Sequence, residues 1–301
     1  MSATIRPYEH AADFNRVGQF LIDVYEPGDV FANWLQPRWE YMHFQSFTDD
    51  QPLDRMGVVE DHSEIVGVVH FEEKPTFSYF QTRCGYDHVK PAMFAYALER
   101  LGGRSVTFER DIHGLFIDEF DTTLRDLAAA NGFEIHPEFA EVHSRYVLDQ
   151  PVPDARMPEG FNLQSLADEN DIAKINAVLW RGFNHEGAPP ASEIPSRRHS
   201  QSAPSFRKDL TIVAVAPNGD YASYAGMWLV PENRVAYVEP VATDPDYRRM
   251  GLGRAVVFEA VRRAASLGAN VAWVGSGQQF YLDIGFAPMF KTDLWVRDIE
   301  R

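Results

Sequence analysis

Hydrophobic and polar positions run through this chain in two successive passes of one plan. "TIRPYEHAADFNRVGQFLIDVY" opens as a short strand, turns, and continues with apolar residues at helical spacing; "FNLQSLADENDIAKINAVLWRGF" repeats that order. Strand pairs follow in each pass. "MGVVEDHSEIVGVVHFEE" turns at Asp61-His62, and "TIVAVAPNGDYASYAGMWLV" turns at Asn218-Gly219, a strong hairpin signal. Each pass then ends in strand, helix and a Gly-Phe pair, "NGFE" at 131–134 and "IGFA" at 284–287. The shared order β-α-β-β-β-α-β-α-β predicts two copies of one α/β domain, a reading that rests on element order because direct identity between the passes is slight.

The boundary falls in "VLDQPVPDARMPEGF" (147–161), where Pro151, Pro153 and Pro158 precede Gly160. Such a stretch reads as a linker, so the expected domains are 1–150 and 151–301. "SEIPSRRHSQSAPSF" (192–206) shows neither period and is expected to be a long loop.

Composition narrows the class. The 301 residues are 45% hydrophobic and 24% charged, enough apolar material for two cores. A formal charge of −16 argues against a nucleic-acid partner, which needs clustered cations. Cys84 is the only cysteine, so no intrachain disulfide is possible. No apolar run approaches the ~18–20 residues of a membrane span, and "MSATIRPYEHAADF" lacks an apolar signal core. The expectation is a cytoplasmic protein without membrane or nucleic-acid partners.

Candidate chemistry concentrates in "PDYRRMGLGRAVV" (245–257). The preceding "RVAYVEPVATD" is apolar and β-branched enough for a strand. After the glycines, Leu252, Val256, Val257, Val261 and Ala264 share a helical face, Glu259 and Arg263 form an i,i+4 pair, and Gly268 suits a stop. A loop there presents free N–H groups and a helix dipole to an anion. It is no Walker A loop, having no Gly-Lys-Ser/Thr, and no Rossmann fingerprint, since Val256 replaces the third glycine. It meets Arg/Gln-x-x-Gly-x-Gly/Ala at Arg248–Gly253; the bland alternative is a glycine-rich helix start without a ligand. Arg248 and Arg249 are candidate phosphate ligands, whereas Arg262 and Arg263 read as a solvated helix face.

"EPVATDPDYRRMGLGRAVVFEAV" resembles the acyl-CoA-binding motif of the GNAT acyltransferase superfamily. The likeness covers about 160–295 by motif and 1–150 only by plan. It implies an α/β protein of two GNAT-like domains in tandem, each a mixed, mostly antiparallel sheet flanked by helices. The implied activity is direct transfer of an acetyl group from acetyl-CoA, a cosubstrate, to a primary amine in a ternary complex. By the same resemblance, the loop Arg248, Arg249, Met250, Gly251, Leu252, Gly253 and Arg254 grips the coenzyme A pyrophosphate. Val241, Ala242 and Thr243 pair with pantetheine and polarise the thioester. Pro240 has no N–H for a ladder bond, which suits a splayed edge there or an ordinary bulge. Tyr281, in Tyr281-x-x-x-Gly285-Phe286, is the implied general acid; a phenol of pKa ~10 can protonate a leaving thiolate of pKa ~8.5.

The chain departs from the family pattern just before that tyrosine. Val274 stands where many members have an asparagine, leaving Ser276 or Gln279 to contact pantetheine. Glu239, alternating with Val241 and Thr243, is the candidate base, with His185 the runner-up. No second histidine lies at ligand spacing from His185-Glu186, so no metal is expected. The first half has no Gly-x-Gly, has Pro91 near the corresponding helix start, and has Ala128 where the second has Tyr281; it reads as a GNAT-like fold without CoA chemistry. Trp34, Trp39, Tyr41 and His43, with Arg38 among them, either line an acceptor pocket or pack the halves together. The acceptor is a small-molecule or protein amine, and the protein a monomer or homodimer. The competing class is a non-catalytic acyl-CoA sensor; an intact Tyr281 favours an enzyme.

Overall fold

A computed structural model describes residues 3–154 and 156–299, so Ala155 of the linker lies outside the described residues, as do both termini. The first half contains β1 (Thr4–Pro7), α1 (His10–Asp23), α2 (Gln36–His43), β2 (Gly57–Asp61), β3 (Glu64–His70) and β4 (Phe77–Thr82). It continues with α3 (Lys90–Arg100), β5 (Gly103–Ser105), β6 (Arg110–Asp118), α4 (Thr122–Ala130) and β7 (Glu134–Val147). The second half opens with β8 (Asn162–Ser165), α5 (Ile172–Gly182), α6 (Ile194–Ser200), β9 (Ile212–Val215), β10 (Tyr221–Val230) and β11 (Val235–Thr243). It ends with α7 (Leu252–Ser266), β12 (Val271–Val274), α8 (Gln279–Asp283) and β13 (Ala287–Asp298). The repeated plan is present, with a second helix, α2 or α6, after the first in each half and a further short strand, β5, in the first half.

The segment expected to be a loop at 192–206 therefore carries α6. A proline at Pro195 is tolerated in the first helical turn, and Arg197 Nε donates to Asn176 Oδ1 of α5 at 3.2 Å. Tertiary packing, not a strong local period, makes this helix.

All strands join one mixed sheet in the order β1-β2-β3-β4-β6-β13-β7-β12-β11-β10-β9-β8, with β5 beside β6. Pairing is antiparallel except at β4/β6 and β11/β12. The two halves exchange their last strands. β13, from the second half, lies between β6 and β7, while β7, from the first, pairs with β12. The linker at 147–161 thus joins two chain segments but does not separate two closed sheets.

Local signals explain the helices that matter here. The Asp171 carboxylate accepts from Ala173 and Lys174 N–H at the start of α5, which buries Ile175, Val178 and Leu179. In α7 the predicted stripe Leu252, Val256, Val257, Val261 and Ala264 is buried, Glu259 pairs with Arg263 at 2.8 Å, and the chain leaves through Gly268 at φ +100°. Apolar clusters fill each half, and another joins them: Phe31 packs edge-on against Trp273 and Phe290, at 4.8 and 4.9 Å between ring centres.

The exchange makes the halves interdependent. A fragment of residues 1–150 lacks β13 and leaves facing edges of β6 and β7 unpaired, so each half expressed alone is expected to aggregate. Co-expression of 1–150 with 151–301 should give a soluble complex that co-purifies; two independently soluble, monomeric halves would contradict the exchange.

Candidate active site

Parallel pairing of β11 with β12 runs from Val235↔Val271 to Tyr237↔Trp273 and stops. Beyond it, β11 continues to Thr243 paired only with β10. The register against β10 slips where the single residue Gly226 faces Glu239 and Pro240, and a Cβ at Gly226 would collide with the Glu239 carbonyl. Trp228 Nε1 donates to that carbonyl at 3.0 Å. Pro240 therefore sits at a bulge and at the splay together. The bulge interrupts the strict alternation expected to set Glu239 beside Val241 and Thr243, yet all three line the resulting opening. This cleft, of about 920 Å³, lies between β11, the start of α7, α8 and the end of α5.

The glycine loop forms the mouth of the cleft. Gly251 caps α7 at φ +83°, a conformation costly for any residue with a Cβ, and Arg249 before it is at φ +64°. The helix's first outside bond is Ala255 N–H to the Gly251 carbonyl at 3.1 Å, so the amides of Gly251 to Arg254 have no acceptor within the helix. Gly253 lies on the cleft wall, where a Cβ would sit 3.2 Å from both Thr243 Oγ1 and Phe280.

Arg248, Arg249 and Arg254 all line this space, whereas Met250 and Gln279 do not. Arg248, expected to meet phosphate, donates to the carbonyls of Thr243 (3.1 Å) and Gly182 (2.8 Å) and to Asn184 Oδ1 (2.7 Å). Its guanidinium braces the end of α5 against the loop, as does Arg181 on Asp244 at 2.5 Å. Arg249 and Arg254 line the cleft, Arg254 also lying 4.9 Å over the Phe258 ring. The Met250 side chain is exposed and outside the lining. Gln279, also outside it, donates to Asp283 Oδ1 at 2.7 Å; Ser276 lines the cleft instead, next to Gln278. Gln278, Phe280 and the α5 end Gly182–Asn184 were missed by motif reasoning. The local signal for the last was "RGFNHEG": Gly182 abuts Ala242 so closely that a Cβ would be 2.7 Å from it.

The two candidate catalytic groups share the cleft. Tyr281, in α8, is buried against Phe280 and Phe286. Burial, helped by the charge of Glu239, pushes its hydroxyl well above the ordinary phenol range, so it stays protonated. Burial also raises the Glu239 carboxyl to about 7, with Glu72 adding to the shift and Arg38 opposing it. Glu239 lines a second, smaller cavity as well, together with Tyr41, Arg197, Tyr224 and Trp228. His185 is exposed, stacked on Trp180 at 4.4 Å and outside both linings. Among the described residues, no cluster of three or more metal-ligating side chains occurs.

The first half has a corresponding splay that its own chain fills. β4 and β6 pair in parallel only at Phe77↔Gly114 and Ser78↔Leu115. The Asn33 side chain then takes a strand's place: Thr82 N–H donates to its Oδ1 (2.6 Å) and its Nδ2 donates to the Thr82 carbonyl (3.1 Å). Trp34 N–H donates to Gln81 Oε1 at 2.6 Å, and about 30 Å³ remains open. α3 starts at Lys90, whose ammonium pairs with Asp87 (2.6 Å) and Asp121 (2.8 Å), where the second half has its glycine loop. Of the aromatic cluster, Trp34, Trp39 and His43 are buried in packing, and Tyr41 lines the smaller cavity.

Residues 174–286 match the model of the acetyltransferase (GNAT) family. No curated protein matches the chain in sequence. Among solved structures, the chain resembles a tandem GNAT protein from the clavulanic acid biosynthesis pathway over 100% of its own length and 99% of the other's, at 14% identity and TM-score 0.68. It also resembles a GCN5-related N-acetyltransferase from Sphaerobacter thermophilus (99% and 96% covered, 14% identity, TM-score 0.62). A GNAT-family acetyltransferase from Colwellia psychrerythraea is similar over 98% and 100%, at 10% identity and TM-score 0.57. With its glycine-started helix at the mouth of a parted β11/β12 pair, the segment 174–286 matches the GNAT acetyltransferase family model, within a chain whose fold is that of tandem GNAT proteins throughout.

Proposed function

We propose that this protein transfers an acetyl group from acetyl-CoA to a primary amine by direct attack within a ternary complex. The observation that carries the reading is the pairing of a splayed strand, Val241–Thr243, with the helix-start amides of Gly251–Arg254, unpartnered among the described residues, in one cleft that also holds Glu239 and Tyr281. A pyrophosphate fits the loop by the helix-start amides, and the pantetheine arm fits the free edge of β11 as an added strand.

Chemistry then divides between two groups. Glu239, ionised over the upper half of its titration near 7, removes the proton from the acceptor ammonium, directly or through water. The neutral nitrogen attacks the thioester carbonyl, a strand amide stabilises the oxyanion, and the tetrahedral intermediate collapses with the C–S bond breaking. Tyr281 protonates the departing thiolate, the proton still on the amide nitrogen passes through water to restore the phenol, Glu239 returns its proton to solvent, and the amide product and CoA leave the cleft. Arg248 both lines the cleft and holds the loop to α5, so phosphate charge falls to the backbone amides with Arg248, Arg249 and Arg254.

Tyr281→Phe should lower kcat about 100-fold or more while leaving acetyl-CoA affinity close to wild type, read by thiol release and calorimetry. Equal turnover would remove Tyr281 from the mechanism. Gly251→Val forces a β-branched residue to φ +83°, at a local cost of roughly 1–3 kcal/mol, and turns the amides away from the phosphates. Acetyl-CoA binding should be lost although the thermal unfolding transition persists; undiminished affinity would contradict the loop assignment. The base must be ionised to act, and its pKa is raised, so kcat/KM should climb with pH up to a bend near 7. Glu239→Gln should abolish that bend along with most of the rate, and an unchanged profile would point to another base.

A further inference from the structure

Behind β11, on the side away from the glycine loop, lies the smaller cavity, of about 40 Å³, walled by both halves of the chain. Resting on the acetyl-transfer reading, we infer that this cavity holds the acceptor, and that the acceptor is a short amine bearing a carboxylate, of the amino-acid type. Three features place the two ends of such a molecule. Gln45, just beyond α2 of the first half, is buried at 7% exposure; its Oε1 accepts from Ser200 Oγ at 3.3 Å, while its Nε2 has no partner among the described residues. A buried amide donor left open in a cavity wall calls for an acceptor atom from a ligand. Arg197, from α6, lines the same wall, uses Nε on Asn176, and forms no ion pair with a carboxylate among the described residues. A guanidinium beside an amide donor is a cradle for a carboxylate.

Glu239 marks the other end. It lines both this cavity and the cleft with the glycine loop, so an amine reaching it from the Gln45–Arg197 wall arrives where the thioester is placed. Between the ends the walls are aromatic and apolar, with Trp228 and Phe206 packed edge-on at 6.0 Å. The cavity is much smaller than the cleft that holds the glycine loop, so the acceptor spans few heavy atoms. A peptide chain does not match this enclosure. The first half, without a CoA cleft of its own, thereby supplies Gln45 and Tyr41 to the second half's substrate.

The test is thiol release at saturating acetyl-CoA with glycine, β-alanine and 4-aminobutyrate, each against its matched alkylamine (methyl-, ethyl- and propylamine), and with a lysine peptide. At least one amino acid should have a KM ten-fold or more below its alkylamine. Gln45→Leu and Arg197→Gln should each raise that KM about ten-fold or more, with acetyl-CoA affinity by calorimetry reporting intact folding. If either variant loses acetyl-CoA binding, the wild-type panel alone decides. Equal or better turnover of alkylamines or of the peptide, or acetyl-CoA binding with no transfer to any probe, would overturn the inference. Failure of wild-type protein to bind acetyl-CoA would instead overturn the acetyl-transfer reading, and this proposal with it.

Discussion

The insertion of β13 between β6 and β7 is the constraint on which the rest of the molecule depends. Its ladder runs from Thr292↔Asp118 to Asp298↔Ile112 on one side and from Ala287↔Arg145 to Val296↔Glu134 on the other. Side chains reinforce the register, with Thr292 Oγ1 donating to Asp118 Oδ1 at 2.6 Å and Arg125 paired with Asp293 at 2.9 Å. Because β13 fills that gap, β7 is displaced to pair with β12, and the first half reaches the candidate site. Ser144 Oγ of β7 donates to the Ser276 carbonyl at 2.7 Å, and Val142 fills the space where Gly277 has no Cβ. The β12–α8 turn that carries Ser276 and Gln278 to the cleft is therefore moulded by a strand from the other half.

A half-buried charge cluster uses the same seam. Arg38 of α2 forms bonds of 2.6–3.0 Å with both Glu72 and Glu141, Tyr79 donates to Glu141 at 2.8 Å, and the guanidinium lies 3.9 Å over Trp34. Desolvation, with smaller contributions from the Glu141 and Glu73 charges, holds Glu72 above its ordinary range against the pull of Arg38, while Glu141, which also accepts from Tyr79, is held below. Removing one partner from such a group would strand the others, which makes the cluster costly to alter piecemeal. The Glu72 and Arg38 charges act on Glu239, tying the protonation of the candidate base to residues of the half that lacks a CoA loop.

The two halves show how one architecture keeps or loses a ligand space. Both part a parallel strand pair. In the second, a helix start with Gly251 and Gly253 leaves backbone amides facing the gap. In the first, Lys90 with two aspartates occupies the helix start, and Asn33 with Trp34 occupies the gap. The difference lies in side chains small enough to admit a ligand or polar enough to replace one.

By itself the chain determined the succession of its principal elements, the hairpin at Asn218-Gly219, the buried stripe of α7 and the glycine loop; the first hairpin turns at His62-Ser63, one residue beyond the expected Asp61-His62, because Asp61 still pairs with Glu64. Each is local: an apolar period, or a φ that only glycine adopts cheaply, is set by neighbours a few residues apart. Tertiary structure alone decided the strand exchange, since an alternating strand carries the same pattern whichever partner it meets. It decided that α6 forms at 192–206, where packing on α5 outweighs a weak period. It gave Arg248, which lines the cleft, a second task as a brace, because Gly182 and Asn184, far away in sequence, offer acceptors at hydrogen-bond distance. And it set Gln45 beside Arg197 and Glu239, three residues from distant segments whose shared wall no spacing encodes.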